Sequence, residues 1–316
     1  MRSVLSLLSR FRKLIWTLQD GYRRLQRIQE ALGRIERRQV ALNPTTSFSE
    51  AEFRVFSQWG EDGLIQYLLS RVPSPNKVFV EFGVENYIES NTRFLAINDR
   101  WSGLVMDGSA ANVEFIRRDS ISWACDVKSV TAFITRENIN ELLESNGIRG
   151  DIGLLSIDID GNDYWVWEAI ECISPRIVVC EYNSLFGLVA RVTVPYDPAF
   201  VRAKAHYSKV YYGASIAALE ALGRSKGYTL VGGNSGGNNV FFVRNDLTAA
   251  VRPVSAVESY QQARFREYHD EYGQLTYDNF ESQLAKIGDL MVFDLDRQIP
   301  VRIGDLPRSG SAKHEP

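Results

Sequence analysis

Between residues 78 and 181 short apolar runs alternate with amphipathic segments. The runs are "KVFVEFG", "SGLVMDGS", "SISWACDV", "DIGLLSIDID" and "RIVVCEYN", each about the length of one buried strand. Between them "NTRFLAIND", "NVEFIRRD", "TRENINELLESNG" and "NDYWVWEAIECI" carry helical spacing. Strands that are apolar throughout and separated by helices must be covered on both faces, which predicts a doubly wound, parallel α/β sheet. Upstream, "SQWGEDGLIQYLLSRV" predicts a helix with Leu64, Ile65, Leu68 and Leu69 on one face, stopped by the Pro73 to Pro75 turn. Downstream, the helix "GASIAALEALGRSKG" stops at Gly227, and "YTLVGG" and "NNVFFVRND" flank the turn-rich "NSGGN". That is the pattern of a terminal antiparallel pair. A dinucleotide-binding sheet would instead continue with a parallel sixth strand.

The first 44 residues form a separate unit. They carry ten Lys/Arg against three Asp/Glu, a net of +7, which leaves −10 for the rest of the chain. Leu25, Ile28, Leu32, Ile35 and Leu42 follow steps of three and four once Gln39 is counted, a seven-residue repeat suited to a coiled coil or helical pairing that ends at Pro44. Nearer the start, "VLSLLSRFRKLIW" is apolar and basic and would also rest on an anionic membrane surface. Self-association and peripheral membrane contact therefore both stand as expectations for residues 1–44. Residues 45–250 form the main domain, with an insertion near 184–212 on the ligand side, and 251–316 read as a helical addition ending in the disordered tail "RSGSAKHEP".

Composition removes several classes. Cys125, Cys172 and Cys180 are odd in number, sit in apolar surroundings and lack CxxC spacing, which predicts reduced thiols in a cytoplasmic protein and no structural zinc. There is no apolar run of membrane-spanning length, and arginines at positions 2, 10 and 12 interrupt any signal-peptide core. Nucleic acid is not an expected partner. The location expected is the cytoplasm, with the basic N-terminal helix allowing a place at the inner face of the membrane.

In an open parallel sheet the ligand lies beyond the carboxyl ends of the strands. An acid stands near each of those predicted ends: Glu81 with Gly83, Asp107 with Gly108 and Ser109, Asp126, Asp158 with Asp160, and Glu181 with Tyr182 and Asn183. Gathering carboxylates is unfavourable unless something cationic or donating joins them. Asp107 closes the second strand, where a carboxylate can accept both hydroxyls of a ribose. The first loop, "FGVENYIES", adds Glu85 and Glu89, which would repel a pyrophosphate, so a cationic, phosphate-free nucleoside fits better.

These stretches resemble a family. "FVEFGVENYIESN", "GLVMDGSAANVEFIRR" and "LLSIDIDGNDYWVWEAI" are similar to class I S-adenosylmethionine-dependent methyltransferases of the FkbM type, whose fourth strand ends in I-D-x-E-G-x-E, here "IDIDGND". The resemblance covers roughly residues 55 to 245. It implies a seven-stranded Rossmann-like methyltransferase sheet with a terminal antiparallel hairpin. It implies S-adenosylmethionine held by Glu81, Gly83, Asp107, Gly108, Ser109, Asp126 and Asp158, and O-methylation of a sugar or glycan-type acceptor facing Asp160, Asp163, Glu181, Tyr182 and Asn183. Proton removal then falls to Asp160 first, Glu181 second and His206 third. Asp158, Glu181 and Asn183 could alternatively hold a divalent cation.

Other readings stay open at this point. Asp163 also suits the start of the helix bearing Trp165 and Trp167, and the cluster at Gln58, Glu61 and Asp62 is either a helix cap or a wall over the cofactor. "DID", Asp158 to Asp160, could be the metal-binding motif of a nucleotide-sugar glycosyltransferase, or the domain could be a non-catalytic scaffold. The aromatic-rich stretch after the fifth strand, "NSLFGLVARVTVPYDPAF", is where substrate choice is expected.

Overall fold

The computed structural model describes residues 2–43, 45–265 and 268–307. Pro44 and the tail from 308 onward, both singled out in the sequence, lie outside the described residues.

The main sheet is built from β1 (Val78–Phe82), β2 (Ser102–Asp107), β3 (Val127–Thr131), β4 (Gly150–Ile157) and β5 (Ile173–Glu181), with β7 (Tyr228–Gly233) and β8 (Asn239–Arg244) added after a two-residue strand, β6 (Val192–Thr193). Its order is β3-β2-β1-β4-β5-β8-β7. β1 to β5 run parallel, and β8 lies antiparallel between β5 and β7. This is the doubly wound sheet with a terminal antiparallel hairpin that the alternation of runs predicted. Strand order reverses between β1 and β4, so a ligand crevice is expected beyond their carboxyl ends.

The sheet forms because its strands have two apolar faces to bury. Along β5, Val178 and Cys180 enter one core with Trp167 and Phe242, while Ile177 and Val179 enter the other with Phe79 and Phe241. The period of two in the backbone thus divides a continuous apolar run between two layers. Helices cover each layer, among them Arg93–Asp99, Ala110–Arg118, Asp163–Ala169 and Ile216–Ser225.

After β5 the chain leaves the sheet. β6 pairs with β9 (Met291–Asp294), and β9 with β10 (Ile299–Arg302), in a separate antiparallel sheet. Phe186, Val192, Val194, Leu284, Ile287 and Val292 give it a core of its own. The region after 250 is therefore not simply a helical addition: it carries the helix Phe280–Ile287 but also the β9–β10 hairpin, which ties the end of the chain to the insertion after β5. Four-residue strands give too short an alternation to be seen in sequence.

A helix spans Arg2–Leu42 and packs against the helices Glu61–Leu69 and Arg93–Asp99. Among the described residues no helix is long and apolar enough to cross a membrane. Cys180 is buried, Cys125 and Cys172 are half-buried, and none of the three is in a disulfide.

Candidate active site

The carboxyl ends of β1, β2, β4 and β5 and the start of β8 open onto one cavity of about 670 Å³, the size of small-molecule sites in general. β8 contributes Asn238 and Asn239 because it runs against β5, so its first residues lie beside the last ones of β5.

Glu81 is the penultimate residue of β1 and is almost fully buried. Its carboxylate accepts the backbone N–H groups of Asn91 and Thr92 and the Thr92 hydroxyl. Burial nevertheless pushes its pKa up to about 7. Gly83 follows at φ +68°, and a Cβ there would sit 1.5 Å from the carbonyl oxygen of Asp158. Only glycine lets the loops after β1 and β4 approach this closely. Asp107 ends β2: Oδ1 accepts from the backbone of Ser109 at 2.7 Å and from the Asn112 amide at 3.1 Å, and Oδ2 accepts from the Glu85 backbone at 2.8 Å. Ser109 caps the helix that follows.

At the other side of the cavity Asp158, Asp160 and Glu181 bring carboxylate oxygens within 4.8 Å of one another. Burial, reinforced by the neighbouring carboxylates, holds Asp158 and Glu181 well above the ordinary range, with Arg202 pulling both back. Oε2 of Glu181 is buried without a hydrogen-bond partner among the described residues. Asp160 differs. It stands at φ +58° with half its side chain exposed to the cavity, and it is ion-paired with Arg202, whose guanidinium also lies 3.9 Å over the Tyr212 ring. Asp is among the few residues that tolerate this left-handed backbone.

Six of the residues singled out from sequence thus meet here: Glu81, Gly83, Asp107, Asp158, Asp160 and Glu181, with Gly108 and Ser109 on the same wall. Five do not. Asp126 precedes β3 rather than ending it, at the amino ends of the strands, where its carbonyl accepts from Gly103; the apolar run "SISWACDV" predicts the strand, whereas "VKSVT" forms it. Asp163 is buried and accepts the backbone N–H groups of Ile159 and Gly161 at 2.8 Å, holding the β4 loop in shape. Tyr182 points into the core, its hydroxyl donating to the Gln261 carbonyl. Asn183 donates to the carbonyls of Val210 and Tyr212 and accepts from Leu185, so the cation set Asp158, Glu181 and Asn183 does not form. His206 bonds Ser208 and does not line the cavity.

The cluster near Gln58 divides between its two readings. Gln58 and Trp59 line the cavity, whereas Oδ2 of Asp62 accepts three successive backbone N–H groups from Val55 to Ser57. Sequence reading missed Arg202, Lys209, His269, Phe133 and Phe200, all on the cavity wall. Arg202 lies within the insertion expected to choose the substrate. His269 reaches the cavity from far along the chain, and no local pattern marks it.

Burial raises three carboxyls to about 6 or 7: Glu81, Asp62 and Asp163. The folded state therefore keeps protons that the unfolded chain releases between about pH 4 and 7, and these groups stabilise less as pH rises through that window. Glu81 alone is worth on the order of 3 kcal/mol. His206, lowered by burial and Lys286, works the other way but is partly exposed. The unfolding midpoint of the ligand-free protein is expected to be higher at pH 5.5 than at pH 8 in urea titrations. A midpoint that climbs steadily across that range would contradict these assignments.

No protein family matches the sequence, and no curated protein matches it either. Among solved structures the chain is similar to an S-adenosylmethionine-dependent methyltransferase from Clostridium acetobutylicum, at 11% identity and TM-score 0.32, covering 44% of this chain and 58% of that one. It is similar to the CurJ carbon methyltransferase at 10% identity and TM-score 0.39, covering 58% and 52%. It is also similar to an O-methyltransferase from Bacillus cereus solved with SAH, at 13% identity and TM-score 0.34, covering 53% and 74%. The chain thus spans little more than half the length of the first two.

Proposed function

We propose that this chain is an S-adenosylmethionine-dependent O-methyltransferase acting on a hydroxyl of a sugar or glycan-type acceptor. The observation that carries the reading is Asp107, placed on the cavity wall at the end of β2, beside Gly83 on the neighbouring strand end and lining the same space as Asp158. The residues present fit the cofactor. Oδ2 of Asp107 takes one N–H and keeps a lone pair for a ribose hydroxyl, and carboxyl oxygens of Glu81, Asp158 and Asp160 line the same cavity, where they can face a sulfonium. Glu81, Gly83, Asp107, Gly108, Ser109 and Asp158 would hold it. When bound, S-adenosylmethionine supplies an electrophilic methyl group on a sulfonium that is already a good leaving group.

The protein then has to orient the acceptor and take its proton. Environments that push neighbouring carboxyls apart assign the roles. Burial and the neighbouring carboxyls favour the protonated forms of Asp158 and Glu181, which suits them to donate; Asp160, ion-paired and open to the cavity, is placed to take the acceptor's proton. Arg202, Lys209, His269, Asn238 and Asn239 supply hydrogen-bonding groups to the remaining wall, which suits a hydroxyl-rich acceptor. The three carboxylates would also suit a divalent cation, but Arg202 already brings positive charge to them.

Calorimetry tests the reading. S-adenosylmethionine is expected to bind equally with and without magnesium, and Asp107→Ala to weaken it at least about tenfold, the worth of charged hydrogen bonds. Binding of a UDP-sugar that requires manganese, with none of S-adenosylmethionine, would replace this function with a glycosyltransferase.

A further inference from the structure

We propose that the N-terminal helix assembles the protein into a parallel coiled coil of three or four copies of this chain. Along the helix, every seventh residue from Phe11 is Phe11, Leu18, Leu25, Leu32 and Gln39, and every seventh from Leu14 is Leu14, Gly21, Ile28, Ile35 and Leu42. The two series interleave in unbroken steps of three and four over the whole stretch, the a and d positions of a heptad. Every large apolar side chain among them is exposed, from 48% at Ile35 to 82% at Leu42. They form one strip roughly 45 Å long at 1.5 Å per residue. Eight such side chains expose on the order of several hundred Å², more than a lone soluble chain normally leaves in one strip and comparable with one side of a stable interface.

The helix is already held by its other side. Gln29 donates to the Val55 carbonyl, and Arg37 bonds Gln66 at 2.7 Å and pairs with Asp99 at 3.0 Å. Val40 is buried, and Gly33 lies so close that a Cβ would sit 2.5 Å from the Val55 side chain. In the heptad these residues occupy positions e, f and b, so over residues 29–40 the domain grips that side of the helix and turns the a/d strip outward. The strip is not a by-product of poor packing against the domain.

Periodicity chooses the occupant. A strict seven-residue repeat drifts about 20° per heptad around a straight helix, so from Phe11 to Leu42 the strip winds by roughly 90°. A flat membrane surface cannot follow that turn, whereas a partner helix follows it by supercoiling. Leu at a with Ile at d, as at Leu25, Ile28, Leu32 and Ile35, favours more than two strands, and the polar Gln39 at an a position sets register.

The test uses the full chain. Light scattering is expected to give the mass of three or four chains, and Leu25→Glu with Leu32→Glu to reduce it to one while the unfolding midpoint of the α/β domain stays unchanged, since both side chains are exposed in the single chain. Arg27→Glu, the same kind of charge change at the outward c position, is expected to leave the assembly intact. A wild-type mass of one or two chains overturns the proposal. So does a single chain that sediments with phosphatidylcholine–phosphatidylserine vesicles and loses them with the same double substitution, which would assign the strip to a membrane surface.

Discussion

Gly83→Ala is expected to destabilise the fold by about 2–4 kcal/mol and to abolish measurable binding of S-adenosylmethionine. The added methyl would need to occupy space 1.5 Å from a backbone oxygen, that of Asp158, and the backbone at φ +68° disfavours any side chain. Neither atom belongs to a flexible group that can swing aside. Gly83 also donates to the Met106 carbonyl at 2.9 Å, so the loop after β1 is held from the β2 side as well. The loops after β1 and β4 would have to part, and both line the cavity. Gly108→Ala is the matched control for stability: its Cβ would meet only the Phe133 ring at 3.5 Å, an ordinary contact. Urea unfolding and calorimetry on both variants decide the matter. Wild-type stability and affinity for Gly83→Ala would mean that the close approach of the two loops is not what forms the site.

Asp160→Asn is expected to lower the rate of methyl transfer to a glycoside by about 10²-fold or more, while cofactor affinity stays within about threefold of the parent. Asparagine keeps the left-handed backbone that position 160 requires and can still accept from Arg202, so geometry is preserved and only the basic carboxylate is lost. Glu181→Gln is the informative comparison. Glu181 is buried, its neutral form is favoured by burial and by Asp158, and Oε2 lacks a hydrogen-bond partner among the described residues, so an amide of the same shape is a mild change there. Its effect on rate is expected to be several-fold rather than a hundredfold. Transfer measured with a panel of glycosides separates the two, and a parental rate for Asp160→Asn would remove Asp160 as the base.

The division between these carboxyls could not be read in sequence, where Asp158, Asp160 and Glu181 are three acids after two strands. Which one is buried, which one faces the cavity and which one meets a cation depends on Arg202, forty-two positions beyond Asp160 and delivered by a short helix in the insertion after β5. The same limit explains the residues that did not join the site. Asp163, Tyr182 and Asn183 stand next to site residues in sequence. Side chains alternate across a strand and rotate around a helix, so adjacent residues face different surroundings. Asn183 was spent on the carbonyls of Val210 and Tyr212, and Asp163 on the backbone of its own loop.

What the sequence determined by itself was the layered sheet and the edge at which its chemistry lies. Continuous apolar runs such as "LLSI" and "IVVC" can only be satisfied between two layers of helices, and parallel strands must then end on one side, so Glu81, Asp107, Asp158 and Glu181 were bound to gather there. The seven-residue repeat of the first helix was equally local and equally visible. Only the tertiary structure decided the rest: that Asp126 precedes a strand instead of ending one, that β8 returns beside β5 and adds Asn238 and Asn239, and that Arg202 and His269 enter the cavity from remote segments. Periodicity and propensity act over a few residues, whereas a protonation state or a neutralising charge is set by whatever the fold brings within a few ångströms, from any distance along the chain.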